Sequence, residues 1–466
     1  MKQIRQLVCL LLISCMSLSI VACGKEDTND IQEETTEITT ETLADEDAEI
    51  EGKIVVWVKS ASLANTKYQE YKKEFEAQYP GTEVEYKIVP NFEIAGYNSI
   101  ISGNAGDVVM IPEKMTKDEI KEYFIPFGST EEIGQRYREQ YIHRMDYDGV
   151  VYGIPEYIMP QGIAYNKRVL EYSGIVELPT TPDEFIDMLI TIKKENKGII
   201  PFYIKYDSLD DWQMHAWGSV AGDGDYHYNG MVMETNPFSK DSPNYIIHRL
   251  LYDIEYERLS QQNALRYVNA KGMLNRGQIA CMLVDWNELS SLQNADTNPD
   301  DIGYMPFPYN IDGEQYATAK YGYCYGIPLT SENKTTAEAF VNYMIKKSGY
   351  ATSEGAISLK KKASKPTLLD DFSGVTLVLD NPPTEDKAGK YETLCQKSGV
   401  MLEECAGKEL VIETAKNARP FIRTSPNQDG DEEDSKETEK EDVTEEIPED
   451  FDEIMELWYS QWKSAK

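Results

Sequence analysis

The sequence predicts an α/β protein of two lobes, and three observations carry that prediction. Lys53 to Val58 reads as an apolar strand, and Tyr68, Tyr71, Phe75 and Tyr79 mark one face of a helix that Pro80-Gly81 ends. Val84, Tyr86 and Ile88 then alternate as a second strand, so strand, helix and strand follow within about forty residues and imply a parallel crossover. The rhythm recurs along nearly 380 residues between two acidic stretches, enough chain for two lobes.

The later elements follow in order. Tyr97, Ile100 and Ile101 predict a second helix, and Asp107 to Ile111 a short buried strand. Thr181-Pro182-Asp183-Glu184 is a capping box with proline at the first helical position, ahead of an apolar face of Phe185, Met188, Leu189 and Ile192. Thr335 and Glu338 predict another cap, ahead of Phe340, Val341, Met344 and Ile345. Phe451, Met455, Trp458 and Trp462 line one face of a final helix.

The N-terminal segment and the charge distribution bear on location and partners. Lys2 and Arg5 precede an apolar run from Leu7 to Val21, which is short for a membrane span of about 20 residues and suits a secretory signal. Ile20-Val21-Ala22-Cys23 is similar to the bacterial lipobox. That resemblance implies removal of residues 1–22 as a signal peptide, a palmitate-bearing lipid on Cys23, and anchoring at the outer face of the cytoplasmic membrane. From Lys25 to Gly52, twelve acidic residues stand against one lysine, so residues 23–52 are expected to form a disordered tether. From Asp429 to Glu453, fifteen acidic residues stand against two lysines, which predicts a disordered insertion over about 424–448. The two stretches hold 24 of the 35 net negative charges. The remainder is mildly acidic without a basic patch, which argues against nucleic acid as a partner. Beyond Cys23 only Cys281, Cys324, Cys395 and Cys405 remain, too few for a disulfide scaffold. Cys395 and Cys405 are close enough in sequence to pair, or they form two buried thiols.

Catalytic signatures are missing. The chain has no Gly-rich phosphate loop, no Gly-x-Ser-x-Gly elbow and no His-Glu-x-x-His pair. Its four histidines lack ligand spacing, and nothing selects a carboxylate pair for glycoside hydrolysis. No cofactor and no catalysis are expected. Aromatics are plentiful instead, with 31 tyrosines and 6 tryptophans. The run Tyr147-Asp148-Gly149-Val-Val-Tyr152-Gly153-Ile154-Pro155, followed by Gly162-Ile-Ala-Tyr165-Asn166-Lys167, resembles the signature of the family 1 extracellular solute-binding proteins. Gly106-Asp107-Val-Val, Leu178-Pro-Thr-Thr-Pro-Asp-Glu-Phe185, Gly277-Gln-Ile-Ala280 before Asp285-Trp286, and Tyr323-Cys-Tyr-Gly326-Ile327-Pro328 keep that family's order. Cys281 stands where the family commonly has methionine, and residues 355–422 match little of the pattern.

The resemblance implies a two-lobe, periplasmic-binding-protein-like (type II) flytrap whose hinge crossovers fall near Glu156 to Gln161, Met305 to Asn310 and Ser348 to Gly355. Residues 53–156 with 311–350 would form lobe one, and residues 157–310 with 351–466 lobe two. It also implies a monomeric subunit of an ABC importer that binds a carbohydrate, probing no chemistry of its own, and hands it to membrane permease subunits. Sugars present hydroxyl edges and weakly apolar CH faces, which call for flat rings beside carboxylates or amides. The expected ligand contacts are Asp107, Tyr157, Trp212, Trp217, Asp285, Trp286, Tyr321 and Tyr323. For Asp107 the competing role is capping a turn; for the tryptophans it is packing in the core. Lys59 and Ser60 end the first strand and could donate to hydroxyls, while Tyr165, Asn166 and Lys167 read as structural. The alternatives keep the fold with a polyamine, peptide, phosphate or metal as cargo, or make the chain a surface glycoside hydrolase or an adhesion module.

Overall fold

Gly52–Val58 runs parallel to Thr82–Ile88 in continuous register, joined through the helix Lys67–Gln78, as the spacing predicts. The structure, a computed structural model, describes residues 50–466 apart from 60, 207–208, 210, 262–264, 382–383, 388, 401–404 and 419–448. The signal segment, Cys23, the tether up to residue 49, Ser60 and the acidic insertion therefore lie outside the described residues. Alternation along the first strand places Ile54, Val56 and Val58 in one apolar cluster with Tyr68 and Phe75. Val55 and Trp57 face the other side, toward Phe92 and Ile100 of the helix Phe92–Ile101. A strand covered on both faces needs apolar residues at nearly every position, which is what this one has. Ile88 departs from the expected alternation and is 41% exposed. Val56 bridges Val108, and Val109–Met110 continues the lobe-one sheet through Cys324–Gly326 to Ile154–Pro155.

Lobe two holds a four-stranded sheet in the order Ile200–Tyr203, Ile279–Val284, Gly162–Asn166, Ile302–Met305. Its helix Pro182–Glu195 starts at the expected capping box: Thr181 accepts from the Glu184 N–H and Glu184 reaches back. Phe185, Met188, Leu189 and Ile192 are buried, and Phe451, Met455, Trp458 and Trp462 of the helix Phe451–Ala465 join the same core. The recognisable Tyr165-Asn166-Lys167 is structural. Asn166 caps the helix Lys167–Tyr172 through the Val169 N–H, and its amide donates to the carbonyls of Leu274 and Asn275. Asp148-Gly149 forms a two-residue hairpin turn with φ of 57° and 80°, the left-handed pair that such turns require.

A third sheet joins the lobes. Glu314–Tyr321 pairs antiparallel with Ile158–Pro160 and parallel with Thr376–Leu379, and Asn310–Ile311 pairs with its start. Tyr350 in the short helix Tyr350–Ser353 meets Tyr68 and Tyr71 edge-on, and Arg138 holds the chain at the carbonyls of Leu359, Lys360 and Ala363. The cap expected at Thr335 and Glu338 does not form. The helix Lys334–Lys346 begins after Asn333 without a side-chain cap, and Glu338 is drawn inward by Arg136 at 3.1 Å. Phe340, Val341, Met344 and Ile345 are buried as expected. Among the described residues no helix is long and apolar enough to cross a membrane.

Candidate functional site

The site follows from where strand ends and hinge meet. A cleft of about 310 Å³ opens over the hinge strand, with Thr318 to Tyr323 as its floor. Ile111, Glu113, Arg144 and Met145 come from the part of the chain expected to form lobe one, while Met214, Tyr228 and Asp380 come from the part expected to form lobe two. Tyr321 and Tyr323 stand two positions apart and both reach this cleft. Gly322 between them has no room for a side chain, because a Cβ there would lie 2.9 Å from the Tyr157 ring. Lys59 stands 3.7 Å over the Tyr323 ring, and the Arg144 guanidinium lies 5.9 Å from that of Tyr321.

Of the expected contacts, Tyr321 and Tyr323 line the cleft directly. Tyr157 sits beneath them, half-buried against Gly322 and 5.7 Å from Tyr350. Asp285 reaches the cleft through Lys320, whose ammonium it accepts at 3.0 Å, while His215 lies 3.4 Å away. Burial opposes the charge on Asp285, but these two partners outweigh it and hold the carboxyl well below its usual range. Asp107 serves the fold: its carboxylate accepts from the Val55 N–H and from the Ser331 hydroxyl, each at 2.7 Å.

The three tryptophans are not brought to the cleft. Trp212 is buried between Phe202 and Phe307 and donates its indole N–H to the Ile247 carbonyl. Trp217 is buried and donates to Asn244. Trp286 is buried against Tyr304. Two of these indoles thus satisfy their single polar atom inside the core, which removes the usual reason for a tryptophan to seek a wet surface. Cys281 and Cys324 are buried thiols, and burial pushes Cys324 up to about 12. Cys395 is buried, and the Cys405 side chain lies outside the described atoms.

Sequence reasoning missed Glu113, Arg144, Met214, Tyr228, Lys320 and Asp380. A second missed group is Glu156, buried at the first hinge strand with one oxygen unpartnered and the other side of the carboxyl on Tyr325. Burial pushes its pKa up to about 7. The arrangement offers aromatic faces, carboxylates and cations around one open cleft. That suits recognition of a polar solute with apolar faces, and no group of metal-ligating side chains occurs among the described residues.

Two α/β lobes, a hinge sheet between them and a cleft over that sheet define a periplasmic-binding-protein-like fold. The chain belongs to the bacterial extracellular solute-binding protein family, whose sequence profile matches residues 60–351. That family consists of solute-binding proteins rather than enzymes. The diacetylchitobiose binding protein DasA of Streptomyces coelicolor is 29% identical over 230 residues, 47% of this chain and 49% of that protein. This chain thus spans about half the length of that curated relative. Among solved structures, the mannobiose complex of BlMnBP1, an ABC transporter binding protein of Bifidobacterium animalis subsp. lactis, superposes with a TM-score of 0.65 at 27% identity, covering 89% of this chain and 95% of that one. Apo RafE of Streptococcus pneumoniae matches with a TM-score of 0.64 at 17% identity over 90% and 99% of the two chains, a likeness of fold alone.

Proposed function

We propose that this protein is the solute-binding subunit of an ABC importer that captures a carbohydrate, an oligosaccharide by preference, and delivers it to a membrane permease. The observation that carries the reading is the cleft itself: Tyr228, Tyr321 and Tyr323 offer ring faces beside Glu113, Arg144, Lys320 and Asp380. The names of its relatives point the same way, since they bind diacetylchitobiose, mannobiose and, in a second complex of BlMnBP1, mannotriose. We place the crossings between lobes at 156–161 and 305–310, as expected, and move the third from 348–355 to 363–367, because Arg138 ties Leu359, Lys360 and Ala363 to the lobe-one side. Open and closed forms interconvert about these strands, and a ligand touching both walls favours the closed form. The permease reads that closed form. The protein makes and breaks no bond in its cargo, and it is held as a monomer at the outer membrane face through a lipid on Cys23.

The test is thermal unfolding of the full chain against mono- and oligosaccharides, polyamines, peptides and metal ions. A ligand that binds only the folded state adds ~2.7 kcal/mol of stability at a hundredfold excess over its Kd. A raised midpoint with one class of glycan, recovered chemically unchanged, is the expected result. Shifts confined to polyamines, peptides or metals would replace the sugar with that cargo. Hydrolysed glycan would make the chain an enzyme.

A further inference from the structure

The turn Tyr226–Gly230 is wound as a π-helix, a rare geometry concentrated at functional sites. It is laced to the segment that follows the hinge strand Thr376–Leu379. Asn381 donates its backbone N–H to the Gly224 carbonyl at 2.8 Å and its side-chain amide to Asp225 at 3.0 Å. Thr384 donates its N–H to the Asn229 side chain at 2.8 Å. Gly224 permits this approach, because a Cβ there would lie 2.0 Å from the Leu379 carbonyl oxygen.

The docking sets His227 beside Asp380, with Nδ1 3.1 Å from Oδ2. The imidazole is fully buried and stacks on the Tyr228 ring, with centroids 3.8 Å apart and planes 22° apart. Trp217 lies 4.1 Å from the imidazole, and Tyr391 meets it edge-on at 5.0 Å. Burying an imidazole is costly unless its nitrogens are engaged. Here that cost accompanies a bond to a carboxylate that stays 25% exposed at the cleft.

We infer that His227 is a positioning residue that fixes two lobe-two groups facing the cleft, Tyr228 through its face and Asp380 through Nδ1, so that ring and carboxylate act as one preorganised subsite for a pyranose. The inference rests on the carbohydrate reading. A pyranose turns a CH face toward the ring and a hydroxyl edge toward the carboxylate. With Oδ2 engaged by His227, Oδ1 is the acceptor that meets a hydroxyl. A side chain ordered before binding spares the entropy that a free one loses on immobilisation. Holding two of them through one ring also fixes their separation.

The experiment is calorimetric titration of the full-length protein with mannobiose, mannotriose, diacetylchitobiose and raffinose. The variants are His227→Phe, which keeps the stack and loses the donor, His227→Asn, which keeps a donor and loses the stack, Asp380→Asn, and the His227→Phe/Asp380→Asn pair. Affinity is expected to fall roughly tenfold in each single variant, with the pair no weaker than its weaker member, because both remove one unit. If His227→Phe fails to fold, the same non-additivity is expected between Tyr228→Ala and Asp380→Asn, which lie at the cleft surface. Losses that multiply, or a folded His227→Phe that binds as the wild type does, would overturn the inference and leave the carbohydrate reading standing. Wild-type protein that binds none of the four sugars would overturn the two together.

Discussion

On the lobe-one side of the cleft, Lys59 lies over Tyr323, and Glu113 is exposed with Arg144 half-exposed, projecting from a strand end, a turn and a short 3-10 helix. On the lobe-two side, Tyr228 and Asp380 rest on a buried imidazole with a buried indole next to it. The first wall is charged and adaptable, and the second is set by packing before any ligand arrives. The difference teaches that aromatic residues at a cleft come in two roles, those that meet the solute and those that hold the ones that do. Trp217 belongs to the second kind.

Five substitutions break or sharpen that contrast. The largest effect belongs to the support layer: Trp217→Ala should cost about 3–5 kcal/mol of stability in urea unfolding. It should also weaken sugar binding in the folded fraction, since Tyr228 loses what its stacked histidine leans on. Trp212→Ala should cost as much stability and leave affinity unchanged, because it packs against Phe202 and Phe307 and does not line the cleft. Equal affinity losses in both variants would erase the distinction.

Behind the lobe-one wall, Glu156 supplies the next effect. Its folded-state pKa, about 7, lies above the ordinary carboxyl value of 4.5, so between those two values the folded state holds more protons than the unfolded state. Its contribution therefore favours folding below pH 4.5 and declines as pH rises to about 7. Glu156→Gln removes that decline, and its stability relative to wild type should grow from pH 5 to pH 8 by up to ~3 kcal/mol. A difference that stays constant with pH would mean the carboxyl titrates normally.

Third, Tyr228→Ala should cost about 2 kcal/mol of binding, roughly thirtyfold in Kd, with little change in Tm. The smallest effect is that of Lys59→Ala, about 0.5–1 kcal/mol of binding, which should shrink as salt is raised because the residue lies at the exposed edge of the cleft. A Lys59 effect larger than that of Tyr228 would reverse the assignment of the two walls.

Much of the fold was legible because burial of one face leaves a period in the sequence. The alternation through Lys53–Val58 and the spacing of Phe185, Met188, Leu189 and Ile192 report which side meets the core. The site was legible only in part. Tyr321 and Tyr323 could be found because the glycine between them marks a close approach of another ring. Trp217 misled because it sits among glycines, which here let the helix Trp217–Ala221 settle onto Thr318 and Val378 instead of opening a cleft. Tyr228 and Asp380 were beyond reach: only the docking of a π-turn against the end of a hinge strand brings them together, and no local pattern encodes a contact at that separation. Glu113 and Arg144 look like ordinary solvated side chains until the opposite lobe faces them.

The most direct test of the account is the affinity of the full-length protein for mannobiose, mannotriose, diacetylchitobiose and raffinose, measured by calorimetry alongside Tyr228→Ala and Tyr323→Ala. At least one of these sugars is expected to bind, and each substitution, one on the lobe-two wall and one on the floor, is expected to weaken that binding. Binding that survives both substitutions, or no binding by the wild-type protein, would contradict the account.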